Sequence, residues 1–166
     1  MNNNHIGSAF QIFKEIADEL GWNYSHGTLD EHSLKAVTVY PLLHVTMQSA
    51  SIQDVTEQFQ FNILIADITN YLKTENEQQD LVDTYSEIGY TENQNYAHIL
   101  QNLYVAFNNK IYGKEKEYYS QLQWIRPITF TPFVEGSGDV LTGYNITISM
   151  NMINSWVTDG TCYDGN

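Results

Sequence analysis

Two stretches of this chain alternate apolar and polar side chains with a period of two, and that alternation constrains the fold more than any other feature. From position 58 to 69, Phe59, Phe61, Ile63 and Ile65 fall on one side, and Gln58, Gln60 and Asn62 on the other. From 140 to 153, Tyr144, Ile146, Ile148, Met150 and Met152 oppose Asn145, Thr147, Ser149 and Asn151. Successive side chains of a strand point to opposite faces, so each stretch reads as a half-buried strand. Leu64, Ala66 and Ile68 predict that the far end of the first strand is covered on both faces.

A sheet with one apolar face needs something to cover it. Between Ser8 and Leu20, Ala9, Ile12, Phe13, Ile16, Ala17 and Leu20 recur at helical spacing, with Ser8 placed to cap the start and Gly21 the end. A second helix is predicted over 93–109, where Thr91 and Gln94 have the form of a capping box and Tyr96, Ile99, Leu100, Leu103 and Phe107 carry the stripe on toward Ile111. The segment 123–133 reads as a strand that turns through Glu135-Gly136-Ser137-Gly138-Asp139 into the strand at 140–153, a hairpin. The segment 36–47 is β-rich but interrupted by Pro41, which cannot donate a ladder hydrogen bond; the strand is expected over 42–47, ending before Ser49-Ala50-Ser51.

The remaining segments lack periodicity. Residues 22–33 read as an extended loop, 75–92 as an exposed acidic connection holding Glu75, Glu77, Asp80, Asp83, Glu87 and Glu92, and 154–166 as an irregular tail whose Trp156 and Tyr163 should dock on the body. No internal repeat or linker divides the chain. The expectation is a single α+β domain over 1–166, a mainly antiparallel sheet with helices packed on one face.

Twenty acidic residues against seven basic ones give a formal net charge of −13. That balance repels a phosphate backbone and argues against a dedicated nucleic-acid reader. Lys110, Lys114 and Lys116 do cluster, but Glu115 and Glu117 interleave with them, so the cluster reads as a solvated turn. Charged residues are 16% of the chain, which leaves much of the polar surface to Asn, Gln, Ser and Thr, a composition suited to contacts between subunits. The first residues, Met1-Asn2-Asn3-Asn4-His5, lack the basic and apolar runs of a secretory signal, and no apolar run is long enough to span a bilayer; a cytoplasmic, membrane-free protein is expected.

Chemistry is sparsely signalled, and no catalytic, cofactor-binding or metal residue is assigned. Gly136-Ser137-Gly138 is not the nucleophile elbow of a hydrolase and reads as a hairpin tip; no Lys-Ser/Thr pair follows it to make a phosphate cradle. Cys162, the single cysteine, excludes an intrachain disulfide and is flanked by Asp159 and Asp164, which disfavour a thiolate. His5, His26, His32, His44 and His98 show no metal-ligand spacing, and His44 is expected as a hydrogen-bonded core histidine. The acidic tail 159–166 lacks the alternating ligands and distal Glu of a calcium loop. A glycosidase pair cannot be chosen from so many carboxylates without their separation in space.

Tyr40-Pro41-Leu42-Leu43-His44-Val45-Thr46, the strand through Phe61, Ile63 and Asp67, the helix from Asn93, and Ile128-Thr129-Phe130-Thr131-Pro132-Phe133 before Gly143-Tyr144 together resemble small virion proteins of phages infecting Bacteroidetes, of the tail-terminator or neck-ring kind. The resemblance follows element order over most of the chain. It implies a homo-oligomeric ring, usually of six and sometimes of twelve subunits, in the virion between the head connector and the tail. Connector and tail proteins would be its neighbours, and DNA would leave through its channel without specific binding. A ring needs two different faces meeting head to tail. The outward row of the last strand and the long loop after the first helix are candidate faces. The residues with chemistry lie outside the resemblance.

Overall fold

The computed structural model describes residues 5–28, 40–69, 92–135 and 140–153. Helix α1 (His5–Leu20) leads into β1 (Asn23–His26); β2 (Leu42–Ile52) and β3 (Thr56–Thr69) form a hairpin; α2 (Glu92–Glu117) precedes a second hairpin of β4 (Leu122–Glu135) and β5 (Val140–Ile153). The strands make one five-stranded sheet in the order β1-β2-β3-β5-β4. Only the β1–β2 pair is parallel; the other three are antiparallel. The fold class is α+β, as expected.

Both helices cover the same face. The apolar stripe of α1 (Ala9, Ile12, Phe13, Ile16) and that of α2 (Leu103, Phe107, Ile111) join one core with the alternate residues of the sheet, from Leu43 and Val45 through Phe59, Phe61, Ile63 and Ile65 to Ile146, Ile148 and Met150. Phe61 sits at its centre, with Phe10 and Phe13 edge-on to it at 5.5 and 5.1 Å. Trp124 of β4 is buried here and donates its indole N–H to the Ile111 carbonyl at 2.9 Å, which satisfies its one polar atom and fixes α2 on the sheet.

At one end of the sheet the opposite face is covered as well. Leu42, Leu64 and Ala66 form a small second cluster with Tyr40 and Phe133. The double coverage predicted from Leu64, Ala66 and Ile68 is therefore present at Leu64 and Ala66, and the side chain of Ile68 lies outside the described ones. Gly143, opposite Ala66, belongs to this end: a Cβ there would overlap the Ile65 carbonyl oxygen, so glycine lets β5 lie tight on β3.

Four expectations need correction. Helix α1 starts at His5, not at Ser8; a residue able to cap marks a permitted start, and the preceding turn joins the helix. The loop expected over 22–33 contains β1, whose four residues show no alternation and are held as a strand only by pairing with β2. Strand β2 does not stop at Met47 but runs to Ile52. A register shift between Met47 and Ser49 breaks the period of two there: Met47 pairs with Phe61, and Ala50 with Phe59. The parity jump disguised a continuous strand as a strand and a turn.

The fourth correction concerns α2, which continues through Lys110, Lys114 and Lys116 to Glu117; these lysines occupy helix, not a solvated turn. Lys114 follows Ile111 on the buried side of that helix and is itself only 3% exposed. The acidic connection 75–92 before Glu92, the Gly136-Ser137-Gly138 tip, the tail with Trp156, Cys162 and Tyr163, and the Thr91 half of the capping box lie outside the described residues, as does His32.

Candidate functional site

Among the described residues, the face of the sheet opposite the helices is left uncovered beyond its Leu42–Leu64–Ala66 end. Reading across the strands by register, three rows stand side by side: Ser51, Gln58, Asn151 and Gln123; Ser49, Gln60, Ser149 and Ile125; Thr46, Asn62, Thr147 and Thr129. None of these twelve is charged, although the chain carries −13 overall. Hydroxyls and amides interlock within it: Ser49 Oγ donates to Gln60 Oε1 at 3.4 Å and Thr147 Oγ1 to Asn62 Oδ1 at 3.5 Å. Asn151 Oδ1 is shielded from solvent with no hydrogen-bond partner. The outward row of β5 predicted from alternation is here, joined by matching rows from three other strands.

The two edges of that sheet differ. On the β4 side, Pro127 and Pro132 remove backbone donors, and the register is broken between Ile125 and Thr129. Arg126, in that break, makes a two-pronged contact to Glu115 at 2.8 and 3.3 Å and lies over the Tyr112 ring. These are devices that keep an edge strand from pairing. On the other side, among the described residues, β1 covers β2 from Leu42 to Val45 and nothing pairs with its outer edge beyond that. Beyond it, residues 46–53 of β2 and its turn hold no charge and no proline. Ile52 there is 81% exposed, and Met47 and Val55 are also open to solvent.

The titratable groups gather elsewhere, between the helices. Lys114 Nζ contacts Glu19 at 2.7 Å, Glu117 at 2.9 Å and Glu15 at 3.0 Å, while Tyr118 donates to the same Glu15 oxygen at 3.0 Å. Lys110 adds a second cation on Glu19 at 2.8 Å. Hydrogen bonds from Lys110 and Lys114 pull the Glu19 carboxyl down to about 2. Burial opposes the charge on Lys114, but its three carboxylates win and its pKa is raised. Two cations and three carboxylates from both helices thus meet in one network, which fastens α1 to α2.

His44 is the buried histidine expected from sequence. Its Nδ1 is 2.7 Å from Ser25 Oγ and its Nε2 is 3.1 Å from the Gly27 carbonyl, so the ring sews β1 to β2. Desolvation lowers its pKa, the Gly27 contact opposing. His26 and His98 are exposed, His98 beside Asn102 at 3.1 Å. Among the described residues no three His, Cys, Asp or Glu side chains are grouped to hold a metal ion, and no helix is long and apolar enough to cross a membrane.

Comparison of the chain with family models and with curated proteins finds no match. What the chain offers a partner is therefore these surfaces. Alternation in the sequence marks the β5 row and leaves the β2 edge unmarked. The available signal was a run without charge from Ala36 to Gln53 in a strongly acidic chain.

Proposed function

We propose that this chain is a structural subunit that assembles with copies of itself. The observation that carries the reading is the uncharged sheet face. A second copy of a protein at −13 is repelled by most of its surface and can approach only where charge is absent. A face of twelve hydroxyl, amide and apolar side chains offers such a place without a charged group to desolvate.

The finer reading follows the resemblance of the sequence to tail-terminator and neck-ring proteins of tailed phages. On it, the subunits close into a ring of six or twelve at the head-tail neck of the virion, between connector and tail proteins, with DNA leaving through the channel. The acidity fits that role, because a wall poor in cations does not hold the phosphates that pass it. The virion placement rests on the resemblance alone; self-assembly rests on the surface.

Negative-stain electron microscopy and native mass spectrometry of the purified full chain test both parts. Closed rings in which each subunit buries roughly 800 Å² or more against its neighbours support the ring. A strictly monomeric protein overturns it and favours a binding or inhibitory module of a phage or its host.

A further inference from the structure

We propose that the open edge of β2 pairs with the same edge of a second copy, antiparallel and centred on Ser51, to join two sheets into one across a two-fold axis. The backbone sets the register. Gln53 donates its N–H to the Thr56 carbonyl, so Gln53 points its peptide groups toward β3. Alternate residues of a strand point alternate ways, and the pairs Ser51–Gln58 and Ser49–Gln60 continue the inward series. Ala50 and Ile52 therefore direct their N–H and C=O groups outward, away from β3.

Centred on Ser51, each Ala50 lies opposite the partner copy's Ile52, and each outward N–H meets an outward C=O. The side chains agree with that register. Ala50 and Ile52 pair with Phe59 and Glu57 and so share the helix-bearing side of the sheet. Ala50 meets Ile52 there, with Glu57 of each copy one strand further in, and Ile52 leaves its 81% exposure, while the two Ser51 meet on the polar side.

This self-matching register points to a second copy as the occupant, and the absence of charge along the strip permits it despite the net charge of −13. The strip from Thr46 to Gln53 is uncharged, and the first acidic residue beyond it, Asp54, would lie opposite Gln48 of the other copy. The two Asp54 then stand about six strand residues apart, on the order of 20 Å at ~3.4 Å each, which exceeds the screening length of ~8 Å at physiological salt. The prolines, broken register and Arg126 of β4 make the opposite edge a poor partner. A two-fold contact closes at two copies, so it builds no ring by itself; within a ring of twelve it would join two layers of six.

The test is Ile52→Pro in the full chain, with mass read by light scattering and native mass spectrometry. Proline removes an outward N–H and leaves the β2–β3 ladder intact. Ile52→Lys checks the same contact by charge. The wild type is expected at even multiples of the chain mass and both variants at half that mass, with unchanged circular dichroism and melting temperature. Variants that keep the wild-type mass overturn the edge contact and leave a ring standing. A wild type that stops at two copies and falls to one in both variants supports the edge and removes the ring. A monomeric wild type overturns both.

Discussion

The two faces of the sheet are made by the same strands from alternate residues, yet they do opposite things. On β3 and β5 the series Phe59, Phe61, Ile63 and Ile146, Ile148, Met150 is sealed under two helices, whereas the interleaved Gln60, Asn62, Thr147 and Ser149 lie among the polar residues of the other face, where Ser49 and Thr147 donate to Gln60 and Asn62. The first face holds the fold and tolerates little. The second carries almost no folding energy, because its hydrogen bonds replace equivalent bonds to water. A chain that keeps such a face free of charge has it available for another molecule.

The sharpest test of that contrast is a pair of neighbours. Phe61→Ala should cost ~3–5 kcal/mol in urea or thermal unfolding, since it empties the centre of the core where Phe10 and Phe13 meet. Gln60→Ala, one residue away, should change stability by no more than about 0.5 kcal/mol. Comparable losses at both sites would mean that the outer face is part of the folding core, and the division drawn above would collapse.

Gly143→Ala comes next. The added methyl must displace the Ile65 carbonyl or part β5 from β3, at a cost of ~1–3 kcal/mol. Its signature is loss of amide protection at Ile65 and Ala66 by hydrogen exchange, with the α1 core less affected.

Lys114→Met removes the one cation that three carboxylates share. The loss should be about 1–2 kcal/mol, below the range for a fully buried pair, because Glu19 and Glu117 are 42% and 53% exposed and water can take up their charge. Denaturant midpoints would measure it. An unchanged midpoint would make the cluster decorative and leave the helices held by apolar contacts alone.

The smallest effects are in pH. His44 has a folded pKa below its ordinary 6.5, so the unfolded chain takes up the proton first. Its contribution is intact above pH 6.5 and declines as pH falls from there toward the folded value. Glu19 acts lower: its carboxyl, brought to about 2 from 4.5, contributes fully above 4.5 and is lost between 4.5 and 2. Stability should thus begin to fall below pH 6.5 on account of His44, and Glu19 should add its loss below pH 4.5. His44→Gln should reduce the fall that starts below pH 6.5 and leave the loss below pH 4.5; a variant whose profile is unchanged would remove His44 as the cause.

Much of the fold was legible because periodicity reports an element's own faces. Phe59 to Ile65 and Tyr144 to Met152 announced two strands and which side of each is buried, and Ala9 to Leu20 announced a helix with Gly21, at φ 69°, ending it. The candidate surface was legible in part: the β5 row was visible in alternation, but its neighbours on β2 and β4 were not. β2 hid behind a bulge that shifts Ala50 and Ile52 onto the same side as Met47.

The α+β class, the order of the main elements and the apolar face of the sheet are written in local spacing, since each follows from one stretch of chain. Three features arise only when distant segments come together. Tertiary contact makes β1 a strand, through its pairing with β2 and the Ser25–His44 contact. It turns Lys114 from an apparent surface lysine into a buried one, because Glu15 arrives from 99 positions earlier in the chain. It leaves one sheet edge blocked and, among the described residues, the other uncovered beyond Val45, where β1 ends. Each depends on which distant groups meet, and local spacing carries no record of that.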